Sequence, residues 1–91
     1  MSTGSSFSLG HLVATPAVLQ TVPHEEIITA IRRHLFCDWG DVCARDRRSN
    51  DLALCNGDRL FSVYHAKDGT KFWIITEAGR GYTTVLLPDD Y

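Results

Sequence analysis

Residues 59–77, RLFSVYHAKDGTKFWIITE, contain the clearest secondary-structure signal of this chain. Apolar and aromatic side chains recur there with the two-residue period of a β-strand, in two runs on either side of AKDGT. Asp68 and Gly69 lie in the middle of that connection, where a tight turn favours a small polar residue followed by glycine. The stretch therefore predicts a β-hairpin with strands over 59–65 and 71–77.

The returning strand of this hairpin has two different faces. Phe72, Ile74 and Thr76 alternate on an uncharged face, which we expect to lie in the core. The opposite face mixes charge with large apolar groups, as a half-exposed surface does; its residues are Lys71, Trp73, Ile75 and Glu77. Because the helices of a chain this short can cover only one side of a single sheet, we expect the second face to bind a partner, with Trp73 as an exposed anchor.

Three helices are predicted ahead of the hairpin. A threonine at the N-cap followed by a proline begins the first helix at 15–16. A second helix follows Pro23, where an apolar stripe recurs with helical spacing at Ile27, Ile28, Ile31 and Leu35. The third helix is predicted over 44–56, because Gly57 stands where a glycine commonly ends a helix.

Two further strands complete the predicted sheet. One is a short strand within 7–15, and the other is YTTVLL over 82–87, which Pro88 ends. The predicted fold class is α+β: a single antiparallel sheet, made of the N-terminal strand and a three-stranded C-terminal meander, with two to three helices packed on one face. Residues 1–8 are predicted to be a disordered lead-in, and residues 9–91 a single domain.

Length and composition exclude several classes of function. The chain has 91 residues, of which 44% are hydrophobic, so one small core is possible but a deep catalytic cleft is hard to build. The net charge of −2 argues against both a dedicated DNA-binding protein and an acidic DNA mimic. No apolar run approaches the roughly 20 residues of a membrane helix, and the start of the chain lacks the features of a signal peptide. We therefore expect a cytoplasmic protein with no membrane partner and with reduced cysteines.

The stretch 34–51, HLFCDWGDVCARDRRSND, is dense in residues that can do chemistry. His34, Cys37 and Cys43, with the distant Cys55, could supply four zinc ligands, but the paired cysteine spacing of structural zinc sites is absent. Nothing marks any cysteine as an activated nucleophile, and glycine-rich phosphate loops are missing. We interpret the cysteines as small buried groups and His34 as a helix-end residue, and we predict no metal, no cofactor and no enzymatic activity.

The same stretch contains a turn with an aromatic centre. Asp38 and Asp41 could in principle act as acid and base, but beside Gly40 they are more simply turn and cap residues. Trp39 is the only large apolar group in this polar turn, so we predict that it is buried against the second and third helices.

Arginines follow the turn on the third predicted helix. Arg45 and Arg48, with Arg47 between them, could form a phosphate-binding patch. Asp46 and Asp51 are interleaved with them, which favours a solvated helix face of mixed charge.

Five segments give the chain a resemblance to a known family. They are LGHLVATPAVL (9–19), RHLFCDWGDV (33–42), RSNDLAL (48–54), GDRLFSVYHAKDGTKFWIITEA (57–78) and TTVLLPDDY (83–91). On these segments the chain resembles small proteins of bacterial plasmids and other mobile elements, often labelled "plasmid-related protein" or "type I restriction endonuclease subunit M". The resemblance implies a mobile-element origin. The methyltransferase suggested by the second label needs a glycine-rich loop for its methyl donor and an Asn/Asp-Pro-Pro-aromatic motif, and neither is present.

Two cysteines depart from the pattern of that family. It typically has glycine where this chain has Cys37, and aspartate or glutamate where it has Cys43. The departure weighs further against a zinc site or a catalytic thiol.

The leading hypothesis is a non-enzymatic protein-binding module of a bacterial mobile element, such as an anti-CRISPR or anti-restriction inhibitor of a host nuclease complex. A homodimer through the face of Trp73 would use the same residues. The alternatives are a nucleic-acid-binding regulator that uses the helix of Arg45–Arg48, and a metal-free accessory protein.

Overall fold

A computed structural model describes residues 7–91. Within them the chain forms four strands, three α-helices and two short 3-10 turns at 78–80 and 88–90. The strands are β1 (His11–Ala14), β2 (Leu60–His65), β3 (Lys71–Thr76) and β4 (Tyr82–Leu86). The helices are α1 (Pro16–Thr21), α2 (His24–Leu35) and α3 (Ala44–Asn56). No helix of this part of the chain is long and apolar enough to cross a membrane.

The four strands form one sheet in the order β1-β4-β3-β2. β2, β3 and β4 are the predicted antiparallel meander, in which Ser62 lies opposite Ile74 and Ile74 opposite Val85. β1 joins the other side of β4 in parallel, with Leu12 opposite Thr83. The α+β fold with a single sheet is confirmed, and the parallel pairing of β1 makes the sheet mixed.

The main core lies between α1, α2 and the uncharged face of the sheet. Phe72, Ile74 and Thr76 are all buried there, which confirms the predicted core face of β3. To the same cluster α1 contributes Val18, the residue Val22 that caps its C-terminus also belongs, and α2 contributes Ile27 and Ala30. The hydroxyl of Thr15 caps α1 by accepting a hydrogen bond from the backbone N–H of Val18.

α3 lies along the free edge of β2 and does not cover a face of the sheet. Asn50 accepts a hydrogen bond from the backbone N–H of Phe61 (3.0 Å) and donates one to its carbonyl oxygen (2.7 Å), as a neighbouring strand would. Ahead of α3, the backbone N–H of Val63 donates a hydrogen bond to the carbonyl oxygen of Trp39, and the carbonyl oxygen of Val63 accepts one from the backbone N–H of Asp41. The edge of β2 is therefore closed, which removes a surface for unwanted strand pairing.

Trp39 is 1% exposed, as predicted. Its ring meets His34 of α2 edge-on at 5.6 Å, and its Nε1–H donates to Asp51 of α3. The following Gly40 has φ 74°, and a Cβ there would collide with the carbonyl oxygen of Val63. The turn thus holds α2, α3 and β2 together.

Part of the predicted lead-in belongs to the packed domain. Residues 1–6 lie outside the described residues. Phe7 is half-buried, stacks on Trp39 with ring centroids 6.4 Å apart, and meets His34 edge-on at 5.3 Å.

His34 is fully buried and is the centre of a chain of hydrogen bonds across the sheet. Its Nδ1 lies 2.6 Å from Ser62 Oγ, and its Nε2 lies 2.9 Å from Thr76 Oγ1. Thr76 Oγ1 is in turn 2.8 Å from Thr83 Oγ1, which donates to the carbonyl oxygen of Leu9. Because Thr83 has one hydroxyl hydrogen, Thr76 must donate to Thr83 and therefore accept from Nε2–H.

The direction of these hydrogen bonds determines which ring nitrogen of His34 carries the proton. Burial, aided by the positive charge of Arg80, lowers the pKa of His34 to about 4, so the ring is neutral near pH 7. With the proton on Nε2, the bare Nδ1 accepts the hydroxyl hydrogen of Ser62. No buried side-chain polar atom of residues 7–91 lacks a hydrogen-bond partner.

The end of α2 places Cys37 in a left-handed conformation. The backbone N–H of Cys37 bonds the carbonyl oxygen of His34, and that of Asp38 bonds the carbonyl oxygen of Arg33, which is the Schellman arrangement. Cys37 occupies the C′ position with φ 65°, where glycine is favoured. The prediction of buried cysteines is wrong for Cys43 and Cys55, which are exposed on the polar helix α3 and its N-cap; Cys37 is half-buried.

Replacing Trp39 should cost much of the stability of this small domain. Trp39→Ala is expected to lower the free energy of unfolding by about 3–5 kcal/mol, since it empties a buried site between two helices. Trp39→Phe keeps most of the ring contacts and should cost less. Urea unfolding followed by circular dichroism measures both. An unchanged midpoint in Trp39→Ala would contradict the role of this residue in packing.

The buried neutral His34 should make stability depend on pH. Because its pKa is lower in the folded than in the unfolded chain, the unfolded chain takes up a proton between pH 6.5 and about 4, and stability falls as the pH falls through that window. The free energy of unfolding should drop by about 2 kcal/mol between pH 7 and pH 5, at about 1.4 kcal/mol per pH unit in the steep part. Urea unfolding at several pH values tests this. His34→Gln is the control, because it removes the titrating group and should remove this decrease in the free energy of unfolding. If the free energy of unfolding falls equally with pH in both proteins, the prediction is contradicted.

Placing glycine at position 37 should stabilise the chain. Cys37→Gly relieves the left-handed strain and is compared with Cys37→Ala, which loses the thiol but keeps the Cβ. The glycine variant should be more stable than the alanine variant by about 1 kcal/mol. Thermal unfolding of the two proteins gives the difference. A more stable alanine variant would show that strain at this position is small.

Candidate functional site

The predicted partner-binding face of β3 is only partly open. Lys71 and Glu77 are exposed and Trp73 is half-buried. Ile75 is 2% exposed, so the expectation that it belongs to a half-exposed surface is wrong. β3 is an inner strand, and Ile75 lies between its cross-strand neighbours Phe61 and Thr84.

Trp73 belongs to a row of three aromatic rings on this face. Its ring centroid lies 5.1 Å from that of Phe61 on β2 and 5.8 Å from that of Tyr91, and both contacts are edge-to-face. Such pairs contribute about 0.5–1.5 kcal/mol beyond the area they bury. Phe61 and Trp73 are half-buried and Tyr91 is 71% exposed, so the row runs from half-buried positions to an open one.

These rings line an open groove between the sheet, α3 and the C-terminal residues. Its volume is about 340 Å³. The apolar lining is Phe61, Trp73, Ile75 and Tyr91, and the polar lining is Asp46, Ser49, Asn50 and Arg59. We call this the aromatic groove. An apolar floor with a few polar groups at the rim is the usual composition of a site that receives a side chain or a small ligand.

Arg59 and Asp46 place one positive and one negative charge at the groove. Arg59 Nη2 donates to the hydroxyl oxygen of Tyr91 (2.6 Å), and its guanidinium carbon lies 5.2 Å from the centroid of the same ring. These contacts fix both side chains without neutralising the arginine. Asp46 stands in the first turn of α3, where its negative charge suits the helix dipole. One charge of each sign therefore stands beside the apolar floor of the groove.

The other predicted site residues lie outside the groove. Lys71 and Glu77 stand near the two ends of β3, and neither lines it. Arg45 and Arg48 are exposed one turn apart on α3, next to the exposed Leu52. The structure thus joins Trp73 and Ile75 with residues that the sequence did not indicate, namely Asp46, Phe61, Arg59 and Tyr91.

The polar residues of the turn at 38–41 have structural partners. Asp38 accepts hydrogen bonds from Arg33 (2.7 Å to Nε) and from the backbone N–H of Gly40. The hydrogen bond from Arg33 holds the pKa of Asp38 below its usual value. Asp41 lies 2.7 Å from Nδ1 of His65, and both side chains are exposed. Burial raises the pKa of Tyr64, whose hydroxyl donates to the carbonyl oxygen of Asp38.

The proposed zinc ligands are not brought together. Both ring nitrogens of His34 are used in the buried hydrogen bonds to Ser62 and Thr76. Within residues 7–91 no three or more His, Cys, Asp or Glu side chains are grouped so that they could hold a metal ion.

No protein-family model, curated protein or solved structure matches the chain.

Proposed function

We propose that the chain is a non-enzymatic protein-binding module of a bacterial mobile element, which acts in the cytoplasm against a host defence nuclease. The aromatic groove is the observation that supports binding. The mobile-element origin rests on the resemblance of the five sequence segments described above. An anti-restriction or anti-CRISPR inhibitor is the form of this function that we propose.

The groove suits an apolar or aromatic side chain of a partner protein. Trp73 and Phe61 supply a rigid floor that loses little conformational entropy on binding, and aromatic residues are common at the energetic centres of interfaces. Arg59 is free to pair with an acidic residue of the partner beside the inserted side chain, because its present contacts are with a neutral phenol. Arg45 and Arg48 are exposed on α3 outside the groove, so this proposal assigns them no role.

Removing the floor of the groove should weaken partner binding and leave the fold intact. Trp73→Ala is expected to reduce affinity by about 2 kcal/mol or more, which is about 30-fold. Leu52→Ala is the control, because Leu52 is an apolar residue 66% exposed on α3 that does not line the groove. Binding to purified restriction and CRISPR nuclease complexes is measured by calorimetry, and circular dichroism checks the fold.

A transfer assay in cells tests the function itself. Expression of the chain should raise plasmid uptake in a host that carries the matching defence system, and Trp73→Ala should lose this effect while Leu52→Ala keeps it. No protection in any defended host, or equal protection by the Trp73 variant, would contradict the proposal. A gel shift with DNA that weakens steeply with salt, and that is lost in Arg45→Ala/Arg48→Ala, would favour the nucleic-acid-binding alternative.

A further inference from the structure

Within residues 7–91 the sheet is closed at one edge and open at the other. The edge of β2 is covered by Asn50 and by the backbone of the turn at 39–41. In the part of the chain that the structure describes, β1 pairs with β4 alone, and residues 11–13 are exposed. No charged residue or proline stands within β1, although these are the usual means by which an edge strand avoids pairing.

The backbone of β1 presents hydrogen-bonding groups to solvent. The N–H groups of His11 and Thr15 donate to Gly81 and Val85 on the β4 side. Because alternate residues of a strand point their backbone groups in opposite directions, those of Leu12 and Ala14 point away from β4. The open edge therefore offers donors and acceptors to another strand.

An apolar groove of about 250 Å³ runs beside this edge on the helix-covered face. Its lining is Leu12, Ala14, Leu19, His24, Ile27, Ile28, Ile31 and Val85. Leu12, Leu19 and Ile28 are 46%, 43% and 51% exposed, and Val13 on the other face of β1 is 38% exposed. These are four of the eight large apolar side chains exposed within residues 7–91.

We propose that two copies of the chain pair through β1, antiparallel about a twofold axis at Val13, to form a continuous eight-stranded sheet. In this register Leu12 lies opposite Ala14 of the second copy, and their outward-pointing backbone groups exchange hydrogen bonds. The large leucine thus meets the small alanine on the helix-covered face, and Val13 meets Val13 of the second copy on the other face. A twofold interface requires such self-complementarity.

Charge and area are both compatible with a second copy as the occupant. β1 has no acidic or basic residue other than His11, so the twofold brings no fixed like charges of the strand together. The exposed apolar side chains offer on the order of 300 Å² per copy, the size of the largest apolar patch on an ordinary monomer. With the backbone and rim, a dimer would bury on the order of 1,000 Å² in total, which is the area of a weak interface.

Sedimentation equilibrium of the full chain tests the dimer. The wild type should pass from monomer to dimer between about 1 μM and about 1 mM. Leu12→Lys places a charge at the edge and should weaken dimerisation at least tenfold, whereas Leu52→Lys, at another exposed leucine, should leave it unchanged. A wild type that stays monomeric throughout overturns the proposal. A dimer that Leu12→Lys preserves and Trp73→Ala disrupts also overturns it, because the interface would then be the aromatic groove.

Disulfide formation tests the register. In a background of Cys37→Gly, Cys43→Ser and Cys55→Ser, Val13→Cys should cross-link two copies under a mild thiol oxidant, since facing residues of this kind have Cα atoms about 4.5 Å apart. His11→Cys is the control on the same face of the same strand. It should not cross-link, because it faces position 15 of the second copy. Efficient cross-linking at 11 and none at 13 would overturn the register. Neither result depends on binding in the aromatic groove, so this proposal and the proposed function can fail separately.

Discussion

The buried imidazole of His34 is the interaction on which the arrangement of the core depends. Through it, one residue of α2 is tied to β2 by Ser62 and to β3 by Thr76, and Thr76 continues the chain to Thr83 on β4. The three hydroxyl-bearing residues are fully buried, and an unsatisfied buried hydroxyl costs about 1–3 kcal/mol. No apolar residue at position 34 could satisfy them. The network therefore fixes the position of α2 on the sheet more narrowly than apolar packing alone would.

The same hydrogen-bond network extends to the segment that leads into β1. Thr83 ends the chain of hydrogen bonds at the carbonyl oxygen of Leu9, two residues before β1 begins. Thr76 and Thr83 are also cross-strand partners, so the network and the β3–β4 register support each other. The hydrogen bond from Thr83 to Leu9 helps to hold β1 against β4, and β1 forms the outer strand on that side of the sheet. On the other side, Asn50 takes the place of a further strand. The two edges differ because a side chain blocks one and nothing in the described residues covers the other.

The sequence predicted the elements whose signals are local. The alternation around Asp68 and Gly69 was sufficient for the hairpin, and Thr15, Pro16 and Gly57 marked helix ends that the structure confirms. Trp39 was correctly placed in the core because a lone tryptophan in a polar turn has few other stable positions. The parallel pairing of β1 and the burial of His34 were not predicted. They depend on contacts between residues 28 to 71 positions apart in the sequence, which periodicity cannot relate. Ile75 was misplaced because its strand was treated as if it had an open face, whereas cross-strand neighbours flank it on both sides.

The sequence predicted only part of the aromatic groove, because residues that are far apart in the sequence line it. Trp73 was indicated by the pattern of β3, but Tyr91 enters the groove from the end of the chain. Asp90 explains how that end is held: its carboxylate accepts a hydrogen bond from the hydroxyl of Thr15 (2.7 Å) and one from the backbone N–H of Leu87. Thr15 directly follows β1 and caps α1. Asp90, which precedes the groove residue Tyr91, is thus hydrogen-bonded to Thr15, the residue after the edge strand β1. The surface beside β1 and the aromatic groove share no residue, and the hydrogen bond between Thr15 and Asp90 links the segments that border them.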